Sequence, residues 1–441
     1  MKQNSFTSGS IGKSIFLFSL PLLASSLIQQ LYSTVDLICV GRFTGTESYA
    51  AIGASDLIIT CLIGFFYGMA VGTNVVAAHY CGSGDSEKLK KLMKTVVIMG
   101  VVGGLILMAI GLCLAPTFLT WMNTPTEIYG LAVRYLRIYM LSIVSIVLYN
   151  LCSGILRAMG DSRSPMIFQL IGCIVNIISD LLFIAVWDMG VTGAALATFF
   201  SQTIAMLFCV VHLHRLDKKI SLDFFPLSCQ WALLGRILKI GVPVGIQSIV
   251  ITLSNIIIQW KINGFGVNAI AAFATYFKVE MIIYLPILAL GQAVVSFVGQ
   301  NYGAEQFDRM KYGFRCCLLF GLILTAFLST LLIFTGNHIF GLFTDDSAVI
   351  RYGYSIISIA FPFYFLYAIL ECYSSKLRGV GRAVAPMLIT LVSFCGVRIL
   401  LLLVLLHVRY EITTVAVTYP ISWAVATVLL WIYHGIVEKR I

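Results

Sequence analysis

Charge is scarce in this chain. Only 11% of its 441 residues are Asp, Glu, Lys or Arg, too few to solvate the surface of a water-soluble domain of that length. Histidine is rarer still, with six, and none clusters with cysteine or carboxylate at zinc-binding spacing. His79 and His338 fall at the ends of apolar runs, so no Ser-His-Asp arrangement forms. There is no glycine-rich phosphate loop, and direct use of ATP is not supported. The twelve cysteines are scattered singly, apart from the adjacent Cys316 and Cys317, and read as buried, inert thiols. No catalytic constellation survives, and no loop is long enough to house one; the chain is not expected to be an enzyme.

Apolar sequence fills the space that charge leaves. Hydrophobic residues make up 59% of the chain and the mean hydropathy is +0.96. Windows of about 20 residues mark spans near 14–40, 50–80, 93–115, 130–155, 165–187 and 190–213. A second set follows near 234–259, 269–299, 313–335, 351–375, 384–407 and 412–435. The runs are continuous rather than alternating, which predicts helices and not a closed barrel. The first run, Ile15 to Val40, is too long for a cleavable signal and should remain as a span. The fold class is therefore all-α integral membrane, with twelve transmembrane helices in two sets of six. Residues 1–215 form a first lobe, 216–234 a connector and 235–441 a second lobe.

A net charge of +10 would suit nucleic acid, but its distribution points elsewhere. With the N-terminus inside, the inner loops hold 21 of the 29 Lys and Arg residues, among them Lys88, Lys90, Lys91, Lys94, Lys218, Lys219, Arg309, Lys311 and Arg315. The outer side carries Arg42, Arg134, Arg137, Lys261, Arg351 and Arg409. This asymmetry places both termini in the cytoplasm of a multi-pass plasma-membrane protein. The excess charge is topological, and no nucleic-acid partner is expected.

The two sets of spans repeat one another. Leu156-Arg157, Gly160 and Pro165-Met166 return as Leu377-Arg378, Gly381 and Pro386-Met387. Ser19-Leu-Pro21 answers to Gly241-Val-Pro243, and Gly72 with Val75-Val76 to Gly291 with Val294-Val295. Duplicated hydrophobic halves are a common construction of secondary transporters, because a site between two halves that rock can face either side in turn.

Acids within the spans are the next signal, since a carboxylate at mid-bilayer costs about 2.5–3.5 kcal/mol on insertion scales. Gln29, Ser33 and Asp36 line one face of the first span. Asp36 is either an inward-facing site residue or an interfacial acid. Gln169, Cys173, Asn176 and Asp180 share a face of the fifth span, and Thr198, Ser201 and Gln202 one of the sixth. Together Asp36, Asn176, Asp180 and Thr198 could offer oxygens to a hard cation such as Na⁺, or hold a proton; a satisfied structural hydrogen bond is the other reading. In the second half Tyr364, Tyr367 and Glu371 form a tyrosine-carboxylate face, with Asn150 at the position matching Glu371. Glu280 and Glu371 either contribute to a site or pair structurally with Lys278 and Arg398. The seventh span repeats the polar face of the first as Ser248, Thr252, Asn255 and Gln259, without the acid.

These residues resemble the multidrug and toxic compound extrusion (MATE) family, in its bacterial MepA-like and NorM-like groups, over essentially the whole chain. The resemblance rests on Pro21, Val35-Asp36, the Leu156-to-Met166 loop, Asn176 with Asp180, and Gly193-Ala-Ala with Thr198. Gly299-Gln-Asn301-Tyr-Gly303-Ala304 and Leu377-Arg378-Gly379 complete it. It implies a V-shaped pair of pseudo-symmetric six-helix bundles working as a cation-coupled antiporter. Such a protein exchanges H⁺ or Na⁺ inward for organic, often cationic, compounds outward by alternating access, with no cofactor beyond the coupling ion, and as a monomer among membrane lipids. By position Asp36, Asn176, Asp180 and Thr198 match the family's first-lobe cation site. Gln29, Ser33, Asn150, Gln202, Asn255, Glu280, Tyr367 and Glu371 are candidates for the substrate cavity. The second lobe departs from the NorM pattern: the span-seven acid is missing, and Glu371 lies about one turn from the usual span-ten acid. A lipid-linked saccharide flippase of the same superfamily is the alternative, disfavoured because intramembrane acids outnumber bases.

Overall fold

The computed structural model describes residues 6–216, 221–222 and 228–438. Lys2, Lys218, Lys219, Lys439, Arg440 and part of the connector between the two halves, residues 217–220 and 223–227, lie outside them. The described residues hold twelve helices long and apolar enough to cross a membrane, and no strand. The first six are α1 Ile11–Phe43, α2 Thr46–Ser83, α3 Ser86–Trp121, α4 Thr126–Ala158, α5 Arg163–Val186 and α6 Gly190–His214. The second six are α7 Trp231–Asn263, α8 Val267–Gly303, α9 Phe307–Gly341, α10 Ser347–Gly379, α11 Val384–Val408 and α12 Ile412–Val437. The all-α membrane class read from hydropathy is the observed one.

Every helix but α5, which stops one residue short at Val186, covers its apolar run, and most overshoot it. Helix α3 starts seven residues before the apolar window at 93 because its start is set by chemistry that hydropathy does not see. Gly84, at φ 72°, ends α2 in the left-handed region open to glycine. Asp85 then caps α3, its Oδ1 accepting from the Lys88 amide at 2.9 Å. The lysine-rich first turns of α3 are helical without being apolar. Asp161 opens α5 similarly, accepting from the amides of Arg163 and Ser164 at 3.1 and 3.0 Å.

Contacts divide the chain into two compact units. One comprises Leu20–Gly245; the other takes Phe6–Ser19 with Ile246–Ile441. Both boundaries fall inside a helix beside a proline, Pro21 in α1 and Pro243 in α7. In the first unit α4 is the central helix, packed on α2, α3 and α6. Its apolar core runs through Val40, Leu119, Leu136, Met140 and Ala194. In the second unit α8 and α10 take the central place, around Phe273, Tyr276, Phe340, Phe361 and Trp423.

The approach of α7 to α2, within the first unit, is made by main chain. Gly68 and Gly72 face Gly241 and Gly245, two small-xxx-small pairs that allow close packing where lipid supplies no hydrophobic drive. A Cβ at Gly68 would lie 2.1 Å from the Gly245 nitrogen. That contact is backbone and cannot rotate away. Gly68→Leu should therefore lower the thermal midpoint in detergent, with an overpacking cost of at least about 1–3 kcal/mol. Gly53→Leu, whose site has nothing within 4 Å, should leave it unchanged; equal effects would disprove the seam.

Two helices widen locally into π-helix. In α5 the widening covers Leu181–Val186 and begins directly after Asp180. In α11 it covers Leu391–Val397 and ends directly before Arg398. Both flanked residues are buried and ionisable, at 0% and 2% exposure. Such widenings concentrate at functional positions.

Candidate functional site

The predicted stripe on α5 points inward as a unit: Gln169, Cys173, Asn176 and Asp180 are all buried. Their deepest members meet Asp36 of α1 and Thr198 of α6. Asp36 and Asp180 are direct electrostatic neighbours, near enough for one proton or cation to serve both. Asn176 and Asp180 are fully buried, and Thr198 and Asp36 nearly so. Tyr32 closes the cluster, its hydroxyl 3.2 Å from Ser201 Oγ.

Hydrogen bonding leaves this cluster unfinished. Asp36 Oδ1, both Asp180 oxygens, Asn176 Oδ1 and Nδ2, and Thr198 Oγ1 are buried without a protein partner. Buried polar atoms are normally satisfied, and each orphan costs about 1–3 kcal/mol, more when charged. Five of the six are oxygens from two carboxylates, one amide and one hydroxyl, the donor type that hard cations take. Among the described residues no group of three or more His, Cys, Asp or Glu could hold a metal, so any ion here relies on the neutral Asn176 and Thr198 oxygens too. The residues fit Na⁺ or a shared proton.

The other first-lobe candidates are less buried than the cluster. Gln29 and Ser33 are exposed, and Ser33 Oγ donates to the Gln29 carbonyl at 3.3 Å. Asn150 donates to the Ile146 carbonyl of its own helix at 2.8 Å. Gln202 is half-buried. Tyr32, one turn before Asp36, was not in the sequence-based set. Its signal was there in the i,i+4 spacing of an aromatic hydroxyl and an intramembrane acid.

The second unit gathers its acids differently. Glu280 Oε1 accepts from Tyr364 at 2.7 Å and from Tyr276, one turn earlier on α8, at 3.1 Å. Arg398 lies nearby, buried at 2% exposure, its Nε donating to Ser422 Oγ at 2.8 Å. Its guanidinium stacks over the Phe394 and Tyr419 rings at 4.0 and 4.7 Å. Glu371 is held separately. Arg378, two turns on along α10, donates to Glu371 Oε1 at 3.0 Å and to Gln247 Oε1 of α7 at 3.1 Å. Gln247 in turn donates to Thr390 of α11 at 2.7 Å. Gly291 makes room for this carboxylate, since a Cβ there would sit 2.8 Å from Glu371 Oε1.

Lys278 and Arg398 are thus not the ion-pair partners of Glu371. Lys278 is exposed and reaches over the Phe343 ring at 5.9 Å, as a long amphipathic side chain does when its stem lies in apolar surroundings. Asn255 is half-buried, and Tyr367 is buried against Trp423 and Tyr364.

A twelve-helix bundle with orphaned acids inside its spans is a polytopic membrane protein of duplicated design. The MatE family model matches residues 21–182 and again 243–404, each match opening on one of the paired prolines. This chain belongs to the MatE family. It is 28% identical over 439 residues to "Probable multidrug resistance protein YoeA" of Bacillus subtilis, covering 98% of this chain and 95% of that one. It is 25% identical over 379 residues to "Multidrug export protein MepA" of Staphylococcus aureus, covering 86% and 83%. A solved structure described as the outward-facing conformation of a multidrug resistance MATE family transporter superposes with a TM-score of 0.93. That pair is 22% identical, and the alignment spans 100% of this chain and 98% of the other.

The two matches are of equal length, so places in the halves can be counted from their ends. Asp36 lies fifteen residues after Pro21, and Ile258 lies fifteen after Pro243. Asp180 lies two residues before the first match ends, and Leu402 lies two before the second ends. Ile258 and Leu402 are both 0% exposed in the second unit's core. At the places counted from the match ends, the first half has its orphaned acids and the second has packed aliphatic side chains.

Proposed function

We propose that this chain is an ion-coupled exporter, exchanging inward-moving H⁺ or Na⁺ for organic, mainly cationic, compounds by alternating access in the cell membrane. The observation carrying this reading is the set of buried, partnerless atoms on Asp36, Asn176, Asp180 and Thr198. Two carboxylates held together away from water are tolerable only with a cation or proton between them. A site that demands an ion, yet can be loaded by a proton or by Na⁺, is what coupling requires. Binding there would shift the equilibrium between two access states only by the ion's differential affinity for them. The names of the bacterial relatives, multidrug resistance and multidrug export proteins, support organic compounds as cargo. The basic bias of the loops supports cytoplasmic termini.

The test is efflux of a fluorescent organic cation from proteoliposomes, imposing a Na⁺ gradient and a pH gradient separately. One of the two should drive export against the dye gradient. No transport under either gradient in protein that remains folded would refute the proposal.

A further inference from the structure

In the second unit, where α9 begins and α12 ends, lies a cavity of about 760 Å³, within the 300–1,000 Å³ range usual for small-molecule sites. Its wall carries Lys311 and Arg315, one turn apart on α9, Lys376 on α10 and His434 on α12. Among the described lining residues there is no aspartate or glutamate. Nothing in the acid clusters or the family's ion site uses these side chains.

The cationic residues sit on an aromatic floor. Lys376 is buried at 5% exposure with its Nζ 4.5 Å over the Phe314 ring. Phe314 stacks on His434 at 5.9 Å, and Tyr373 meets both rings edge-on at 5.1 and 4.9 Å. Lysine held in this way is a fixed charge rather than a solvated one.

One face of α9 continues the pattern into the membrane. Lys311 and Arg315 are followed at four-residue intervals by Leu319, Ile323 and Phe327, exposed at 60%, 60% and 63%. The neighbouring α12 runs inward from the cavity through Ile436, Ile432 and Val428, exposed at 51%, 51% and 53%. Charge sits at one end of both tracks and uncovered hydrocarbon along their length. That is the polarity of an amphiphile with a negative head, and basic pockets between spanning helices are suited to phosphate headgroups.

We infer that this cavity binds a phosphate ester, with Lys311, Arg315 and Lys376 holding the phosphate and the α9–α12 face receiving an acyl chain. The inference is independent of the export reading. The same phosphate chemistry is offered by an anionic lipid headgroup and by free phosphate, and the test separates them.

Full-length protein, delipidated in neutral detergent, is titrated with phosphatidylglycerol, phosphatidylcholine and inorganic phosphate, with bound ligand counted by native mass spectrometry. Phosphatidylglycerol should bind at least about tenfold more tightly than phosphatidylcholine. Lys311→Gln/Arg315→Gln should abolish that preference; the first position is half-buried and the second exposed, so folding is not at risk. Lys90→Gln/Lys94→Gln, which removes the same charge far along the chain, should preserve it. Binding of inorganic phosphate that is lost in the Lys311/Arg315 variant would support the phosphate site with a soluble source. Equal binding of the two lipids without phosphate binding, or equal loss in both variants, would overturn the proposal.

Discussion

Asp180→Asn is expected to reduce gradient-driven efflux to the level of protein-free vesicles while leaving a folded protein. The amide keeps the carboxylate's shape, so packing against α1 and α6 is preserved, but it removes one of the two carboxyl groups that would share an ion. An ion that no longer gains from that charge loses its differential affinity for one access state, and every 1.4 kcal/mol lost is about tenfold in the equilibrium it biases. Asp36→Asn should behave alike. The stability readout runs the other way: replacing a buried, partnerless carboxylate by a neutral group relieves a desolvation cost, so the thermal midpoint in ion-free buffer should stay or rise. Undiminished coupled transport in both variants, or loss of transport only through unfolding, would remove the coupling role from this pair.

The second large effect belongs to structure rather than transport. Arg378→Met should destabilise the second unit by about 3–5 kcal/mol, the usual cost of stripping one partner from a buried ion pair. Glu371 is then left at 7% exposure with its guanidinium gone, and Gln247 loses the donor that ties α7 to α10. Adding Glu371→Gln should recover much of the loss, because a neutral amide needs no counter-charge. Thermal unfolding in detergent, run on wild type, both single variants and the double, measures the coupling. Additive losses would mean that the pair does not act as one.

How much of this was legible in the sequence depends on which physical force wrote each feature. The twelve spans were readable because hydrocarbon admits only long apolar helices, and that constraint acts on every residue of the run. The helix ends were not, since Asp85 and Gly84 set them by capping and φ, which hydropathy ignores. Asp36 and Asp180 stood out because an acid in a span is costly and therefore rare. Asn176 and Thr198 followed from helical spacing and from the resemblance. Tyr32 and Tyr276 stayed hidden because tyrosine in an apolar run looks lipid-facing until its hydroxyl is given a partner. Glu371 was matched to the wrong bases. Arg378 lies seven residues on, two turns along the same face, but its repeat with Arg157 drew it into the loop chemistry. Lys278, placed inside a span by its number, reaches outward instead.

The π-helical stretch behind Asp180 makes the acid pocket sensitive to chain length rather than to composition. A π-turn carries one residue more than an α-turn, so everything from Leu181 to Val186 is out of phase with an ideal helix by roughly one residue's rotation, about 100°. Substitutions in that stretch leave the phase intact. Excising a single residue there would return the stretch to α-helical winding and swing Asp180 relative to the far end of α5.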